Sequence, residues 1–251
     1  MVERLQFDRG KLARAGRIIC HTNLLLRPWR RAYCIPAAPI GTIRTEVEEE
    51  AEMANGRDQA QVHGLEEARR RFAEELRYTA RVRSSNVVAA FATVPRERFV
   101  GPGPWRVLSP MSLAEYWTTE DAEPHHLYHD ILIAIDPTRR LNNGQPSLWA
   151  YLYDQLELEP GAHIVHVGAG TGYYSAILAE IVGRTGNVTA IEIDRELAAV
   201  AQRNLVPWPQ VVVLPTDGFA FRPDQPADAI IVNAGVTHLS LVWIDSLAVE
   251  N

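Results

Sequence analysis

Residues Ile164 to Asp194 read IVHVGAGTGYYSAILAEIVGRTGNVTAIEID. An apolar run, Ile164-Val165-His166-Val167, breaks at three glycines spaced two apart, Gly168, Gly170 and Gly172. The pattern beyond them predicts a helix from about Tyr174 to Val182, a turn over Gly183 to Asn187, and a second apolar run, Val188 to Ile193, with Glu192 near its end. Strand, glycine loop, helix and strand make one βαβ unit.

Each part of the unit has a physical task. Glycine lets the main chain turn sharply and lets a ligand lie against it. The start of the helix presents unpaired N–H groups and a partial positive charge, which favour an anionic group. A carboxylate at the tip of the second strand can accept hydrogen bonds from both hydroxyls of a ribose. An adenosine-type cofactor site is expected over Val167, Gly168, Ala169, Gly170, Thr171, Gly172 and Tyr173, with Glu192 and Ile193 opposite. The competing reading is a glycine-rich turn without a ligand. A dinucleotide fingerprint reads G-x-G-x-x-G, its third glycine allowing close helix–strand packing, but here that place is Tyr173. VGAGTGY followed by IEID resembles motif I and the acidic loop of class I S-adenosylmethionine-dependent methyltransferases. The resemblance implies a Rossmann-like α/β sheet and S-adenosyl-L-methionine as the cofactor.

A chain of 251 residues can bury a full core and suggests one domain with additional material. Hydrophobic content of 47% and charged content of 22% are those of an ordinary globular protein. No apolar run approaches the roughly 18 residues of a membrane span. The net charge of −6 argues against general nucleic-acid binding, which draws on basic patches. Cys20 and Cys34 are the two cysteines, so the body of the chain has neither a disulfide framework nor a thiolate zinc site, and a reducing, cytoplasmic setting is expected.

Residues 1–52 stand apart: up to Arg44 they carry nine basic residues against Glu3 and Asp8, without sustained periodicity. They are expected to be a disordered or spurious extension; a transit segment is the alternative, and Trp29-Arg30-Arg31 reads as a solvated basic cluster. Residues 53–146 form the next unit, helical and then extended. Leu65, Ala68, Phe72 and Leu76 repeat at helical spacing, and a second helix over Asn86 to Thr93, capped by Asn86, stops ahead of Pro95. The incomplete Rossmann-like unit is expected over 147–251.

The order of the segments narrows the resemblance. The run VPRERFV (Val94 to Val100), then Leu127-Tyr128-His129-Asp130 leading to Asp136, then QPSLWAYLYDQLELEPGAHIVHVGAGTGY (Gln145 to Tyr173) together resemble protein-L-isoaspartate O-methyltransferases, over about Leu65 to Val249. The family implies methyl transfer to a carboxylate of a damaged protein or peptide, without nucleic acid or membrane. Its acceptor loop reads roughly T-x-S-x-P, and alignment on Pro146 puts Gly144 at the serine, so the hydroxyl is missing. Asn142, Asn143 or Gln145 could donate in its place, and Asn143, Gly144 and Gln145 are the acceptor-loop candidates. The resemblance also assigns Asp217, Gly218 and Phe219 to the adenine and Asn233 to the cofactor wall, although an Asp-Gly pair is also a common turn.

His125, His126, His129 and Asp130 cluster, but their spacing fits no closed ligand set and no metal is assigned. The last strand of the pattern, Ala229 to Val232, is followed by a helix over Leu239 to Leu247, after which three strands of a complete class I sheet are wanting. The strand is then expected to be an exposed edge in a chain of poor stability. Other readings stay open: a methyltransferase with a different acceptor, such as another peptide carboxylate or a small molecule, which Gly144 raises; a degenerate or truncated methyltransferase serving as a non-catalytic binding protein, which the intact loop and Glu192 oppose; and a nicotinamide-dependent oxidoreductase, which Tyr173 opposes.

Overall fold

The computed structural model describes residues 18–20 and 47–248. Cys34 and the basic cluster at Trp29 to Arg31 lie outside the described residues. A parallel sheet of five strands holds the molecule together, in the order β1 (Ile18–Cys20), β9 (Ala229–Val232), β6 (His163–Val167), β7 (Asn187–Ile191) and β8 (Val211–Leu214). Parallel strands covered on both faces read as continuous apolar runs, as β9 does with Ala229-Ile230-Ile231-Val232; β6 admits the buried His166 within its run. Alternate residues separate the faces. Ile164, Val188, Ala229 and Ile231 enter the larger core, and Val165, Val167, Ile191, Ile230 and Val232 enter a second core with Trp243 and Leu247.

The larger core takes in α1 (Val47–Thr79), α2 (Ser85–Thr93), α3 (Pro146–Leu156) and α4 (Tyr173–Val182), and Ala201 of the helix after β7. Helix α5 (Arg195–Asn204) follows β7, and the short α6 (Leu241–Asp245) supplies Trp243 to the other face. Ser84, not Asn86, caps α2, its Oγ accepting from Val87 N at 3.4 Å. Buried Asp154 of α3 accepts from Arg83 N and Ser84 N at 2.8 and 2.7 Å, so the entry to α2 is fastened to α3.

Between α2 and α3 lies an antiparallel sheet in the order β3 (Ser112–Thr118), β2 (Arg106–Ser109), β4 (Leu132–Asp136) and β5 (Leu141–Asn142). Trp105, Val107, Leu127 and Ile133 form its own small core. Fully buried Arg96 joins this unit to the rest. Its Nη1 donates to the carbonyls of Leu127 and His129 at 2.7 and 3.0 Å, and its Nη2 to that of Ile131 at 2.7 Å and to Asn143 Oδ1 at 3.3 Å.

The pairing at β9 corrects one expectation. Ile18, Ile19 and Cys20 run parallel to Ile230, Ile231 and Val232, so β9 is an interior strand whose backbone groups are paired on both sides. Periodicity could not reveal this, because a three-residue strand is shorter than any window that resolves a period of two. The pairing residues fall within the stretch read as an extension, and α1 begins at Val47, inside its last residues. The helix expected over Leu239 to Leu247 is reduced to Leu241–Asp245. Among the described residues no helix is long and apolar enough to cross a membrane.

His166 of β6 is fully buried, with Nδ1 2.8 Å from Ser175 Oγ of α4. Burial pushes its imidazole down to about 4, whereas the unfolded chain takes up a proton below pH about 6.5. The stability contributed by the neutral ring is complete above pH about 6.5 and is lost as pH falls towards 4, by about 3 kcal/mol in all. Chemical unfolding of the wild type between pH about 7 and about 4 is expected to be steeper in pH than that of His166→Asn, which has no proton to gain.

Candidate functional site

The loop that follows β6 forms one wall of a cavity of about 520 Å³, into which Val167, Gly168, Ala169, Gly170 and Thr171 all face. At Gly168 the wall is bare main chain because nothing larger fits. Gly168 has φ 80°, and a Cβ there would lie 2.4 Å from the carbonyl oxygen of Asn233. Gly172 caps α4 at φ 99° and turns away from the cavity, against Leu205.

Glu192, 7% exposed, is held opposite the loop. Its Oε2 accepts from Gly170 N at 2.7 Å and its Oε1 from Asp194 N at 3.0 Å. Bonds of this kind between main-chain N–H and a carboxylate are short and strong, and they orient the group against the cavity. Ile193, 68% exposed, stands beside it. Asp217, Gly218, Phe219 and Asn233 close the far side. There Asp217 Oδ1 accepts from Phe219 N at 2.9 Å, and Trp243 Nε1 donates to the carbonyl of Gly218 at 2.7 Å.

Tyr173 also reaches the cavity, though mainly as a core residue. It is 2% exposed, packs edge-on against Phe91, Phe99 and Tyr174, and burial pushes its phenol up to about 12. The structure adds Arg139 and Asp194 to the site, joined by an Nη1 to Oδ2 contact of 2.7 Å. Their shared hydrogen bond raises the guanidinium above its ordinary value and lowers the carboxyl. Asp136 Oδ1 accepts from Thr138 N and Arg139 N, at 2.9 and 3.2 Å, which sets the turn that carries Arg139. The only sequence signal for this pair was the Asp-Pro-Thr turn itself, since its members are far apart in the chain.

The acceptor-loop candidates separate. Asn143 lines the cavity, whereas Gly144 and Gln145 do not. Gln145 Nε2 donates to Asp130 Oδ2 and Ser147 Oγ, each at 3.0 Å, and Asp130 Oδ1 accepts from Ser147 N at 2.8 Å, so these side chains dress the start of α3. Gly144 sits at φ 82° beneath aromatic rings, where a Cβ would lie 2.7 Å from Trp149 Nε1 and 3.0 Å from Tyr174 Cε2. Tyr174 Oη donates to the Gly144 carbonyl at 3.0 Å. The indole of Trp149 thus takes up the space a serine side chain would need. In the histidine cluster, His126 Nε2 lies 2.9 Å from Asp121 Oδ1, and His129 gives its carbonyl to Arg96.

A five-stranded parallel sheet with a glycine loop at the end of one inner strand and an acidic residue at the end of its neighbour defines a Rossmann-like α/β protein of the class I methyltransferase type. The sequence profile described as protein-L-isoaspartate(D-aspartate) O-methyltransferase matches residues 67–249, and the chain belongs to that family. It is 32% identical over 192 residues to the protein-L-isoaspartate O-methyltransferase of Hyperthermus butylicus, covering 72% of this chain and 71% of that protein. With the Thermotoga maritima protein of that name it shares 27% identity over 169 residues, 65% of this chain and 48% of the relative, so it spans about half of that relative's length. A solved protein-L-isoaspartate O-methyltransferase superposes with a TM-score of 0.56 at 26% identity, over 70% of this chain and 52% of that one. A Plasmodium falciparum protein-L-isoaspartate O-methyltransferase, solved with S-adenosyl-L-homocysteine, is alike in fold, with a TM-score of 0.54 at 17% identity over 72% of this chain and 79% of its own.

Gly144→Ser is expected to lower stability by about 2 kcal/mol or more, from overpacking against Trp149 and the left-handed backbone together. Thermal unfolding beside the wild type checks this.

Proposed function

We propose that the chain is an S-adenosylmethionine-dependent O-methyltransferase that acts on a carboxylate of a damaged protein or peptide. The observation that carries the reading is the pairing of bare main chain at Gly168 and Gly170 with the buried, oriented carboxylate of Glu192. The residues fit an adenosyl cofactor: the loop admits a close approach, Glu192 is oriented to receive ribose hydroxyls, and Ile193, Asp217 and Phe219 offer apolar surface and an acceptor to the adenine. A dinucleotide is disfavoured because Tyr173, where its third glycine would stand, is buried among Phe91, Phe99 and Tyr174.

When bound, S-adenosylmethionine supplies an electrophilic methyl group whose passage to a carboxylate oxygen leaves a neutral thioether. A carboxylate acceptor of pKa about 4 is already ionised at neutral pH, so the protein has no proton to remove. Its task is alignment, and well-oriented reactants gain on the order of 7–11 kcal/mol. This agrees with the cavity wall, where side chains orient main chain and one another and no nucleophile is paired with a base. The family names and the order of segments support a peptide carboxylate as acceptor.

Glu192→Ala is expected to weaken S-adenosylmethionine binding about 10- to 100-fold, the loss of charge-assisted hydrogen bonds to a ribose. Calorimetry on the full chain measures this, with S-adenosylhomocysteine and NAD as companions. Tight NAD binding, or unchanged affinity in the variant, would refute the cofactor reading, and absence of methyl transfer to an isoaspartyl peptide would refute the enzymatic one.

A further inference from the structure

The antiparallel sheet leans over the glycine loop. A Cβ on Gly170 would lie 3.5 Å from Ile135 Cδ1 of β4, and the turn that follows, Asp136 to Arg140, brings Arg139 to the same cavity. There its Nη1 donates to Asp194 Oδ2 at 2.7 Å. The two side chains are 55% and 20% exposed, so the pair stands at the solvent edge of the cavity.

The two ends of this contact differ. Asp194 is fixed: its Oδ1 accepts from Glu196 N and Leu197 N at 3.0 and 3.2 Å, and its own N donates to Glu192 Oε1. Arg139 rides on a turn that is tied to itself, with Asp136 Oδ1 accepting from Thr138 N, Thr138 Oγ1 and Arg139 N at 2.9, 2.6 and 3.2 Å. Both flanks of the turn are irregular. The β4–β5 register shifts between Ala134 and Asp136, and Arg140 has φ 54°, in the left-handed region that residues with a Cβ seldom adopt. Irregularities at the ends of an element are where a turn can swing as a unit. Besides its bond to Asp194, the guanidinium feels the charges of Asp136 and Glu192, so the turn is drawn towards the acid that faces the cavity. An ion pair this exposed adds little to the stability of the fold. A bond that must break before a ligand departs acts instead on the rate of departure.

Resting on the adenosyl-cofactor reading, we propose that Arg139 is a positioning residue that fastens the Asp136–Arg140 turn across the mouth of the cavity, and that the cofactor leaves only when the pair with Asp194 parts. The turn is the strap, Asp194 the post it is fastened to, and Glu192 is linked to the same post through the Asp194 N–H.

The test is a chase of radiolabelled S-adenosylhomocysteine from the full chain by excess unlabelled ligand, at ionic strengths of about 0.05 M and about 0.5 M. This ligand carries an ammonium and a carboxylate and no net charge, so the salt dependence of its release reports on the protein's own ion pair. Arg139→Gln keeps a polar side chain without the charge. It is expected to release the ligand at least threefold faster than the wild type at the lower ionic strength, with the thermal midpoint of the ligand-free chain unchanged. Wild-type release is expected to quicken with salt, that of Arg139→Gln to stay constant, and that of Arg139→Lys, which restores the charge, to fall between the two. Release from Arg139→Gln within threefold of the wild type, equal salt dependence in both, or an Arg139→Lys no slower than Arg139→Gln would overturn the proposal. A chain that does not bind S-adenosylhomocysteine would instead strike the cofactor reading, and amide hydrogen exchange of the ligand-free protein then decides the strap. Exchange over Thr138 to Leu141 quickens in Arg139→Gln if Arg139 holds the turn, and unchanged exchange there refutes it.

Discussion

A buried guanidinium fixes where the two halves of the molecule meet. Arg96 has no exposed surface, and its donors are spread over Leu127, His129, Ile131 and Asn143, so one side chain from the turn after α2 gathers the approach to β4 and the acceptor loop. Charge buried at such cost persists only where hydrogen bonds compensate it. Here they do so with main-chain carbonyls and one amide oxygen, and the rings of Phe72 and Tyr173 lie 5.8 Å from the guanidinium carbon. The same residue, together with Ile133 N, also holds Asn143 by its Oδ1.

The cavity repeats this economy of means. Glu192 is clasped by the main chain of Gly170 and Asp194, and Asp194 in turn caps α5 through Glu196 N and Leu197 N and pairs with Arg139. One short segment after β7 thereby orients the acid, starts a helix and reaches across to the β4–β5 turn. On the other side Asp130, Gln145 and Ser147 dress the entry of α3, and Trp149 fills the space over Gly144. The loop is thus held by hydrogen bonds and packing among the chain's own residues.

The parts of the fold that repeat were legible in the sequence. The βαβ unit and β9 declare themselves by apolar runs and helical spacing, and the glycines and Glu192 fall at strand ends where ligands bind in such sheets. What stayed hidden depended on distant partners. Gly144 could be recognised as a missing hydroxyl, yet only packing reveals that Trp149 forbids one. Asn143 and Gln145 look interchangeable as amides, and they part company because Asp130 claims one while Arg96 and Ile133 claim half of the other. Arg139 and Asp194 meet across a distance that no local pattern encodes. β1 is too short to carry a period at all.

The pairing of Ile18 with Ile230 bears on the order in which the molecule is assembled. Among the described residues β1 is the first strand along the chain and β9 the last, so their register cannot form until nearly everything between them has been synthesised. Closing so long a loop is slow compared with forming local helices. During translation the outer side of β9 is accordingly the last part of the sheet to be sealed.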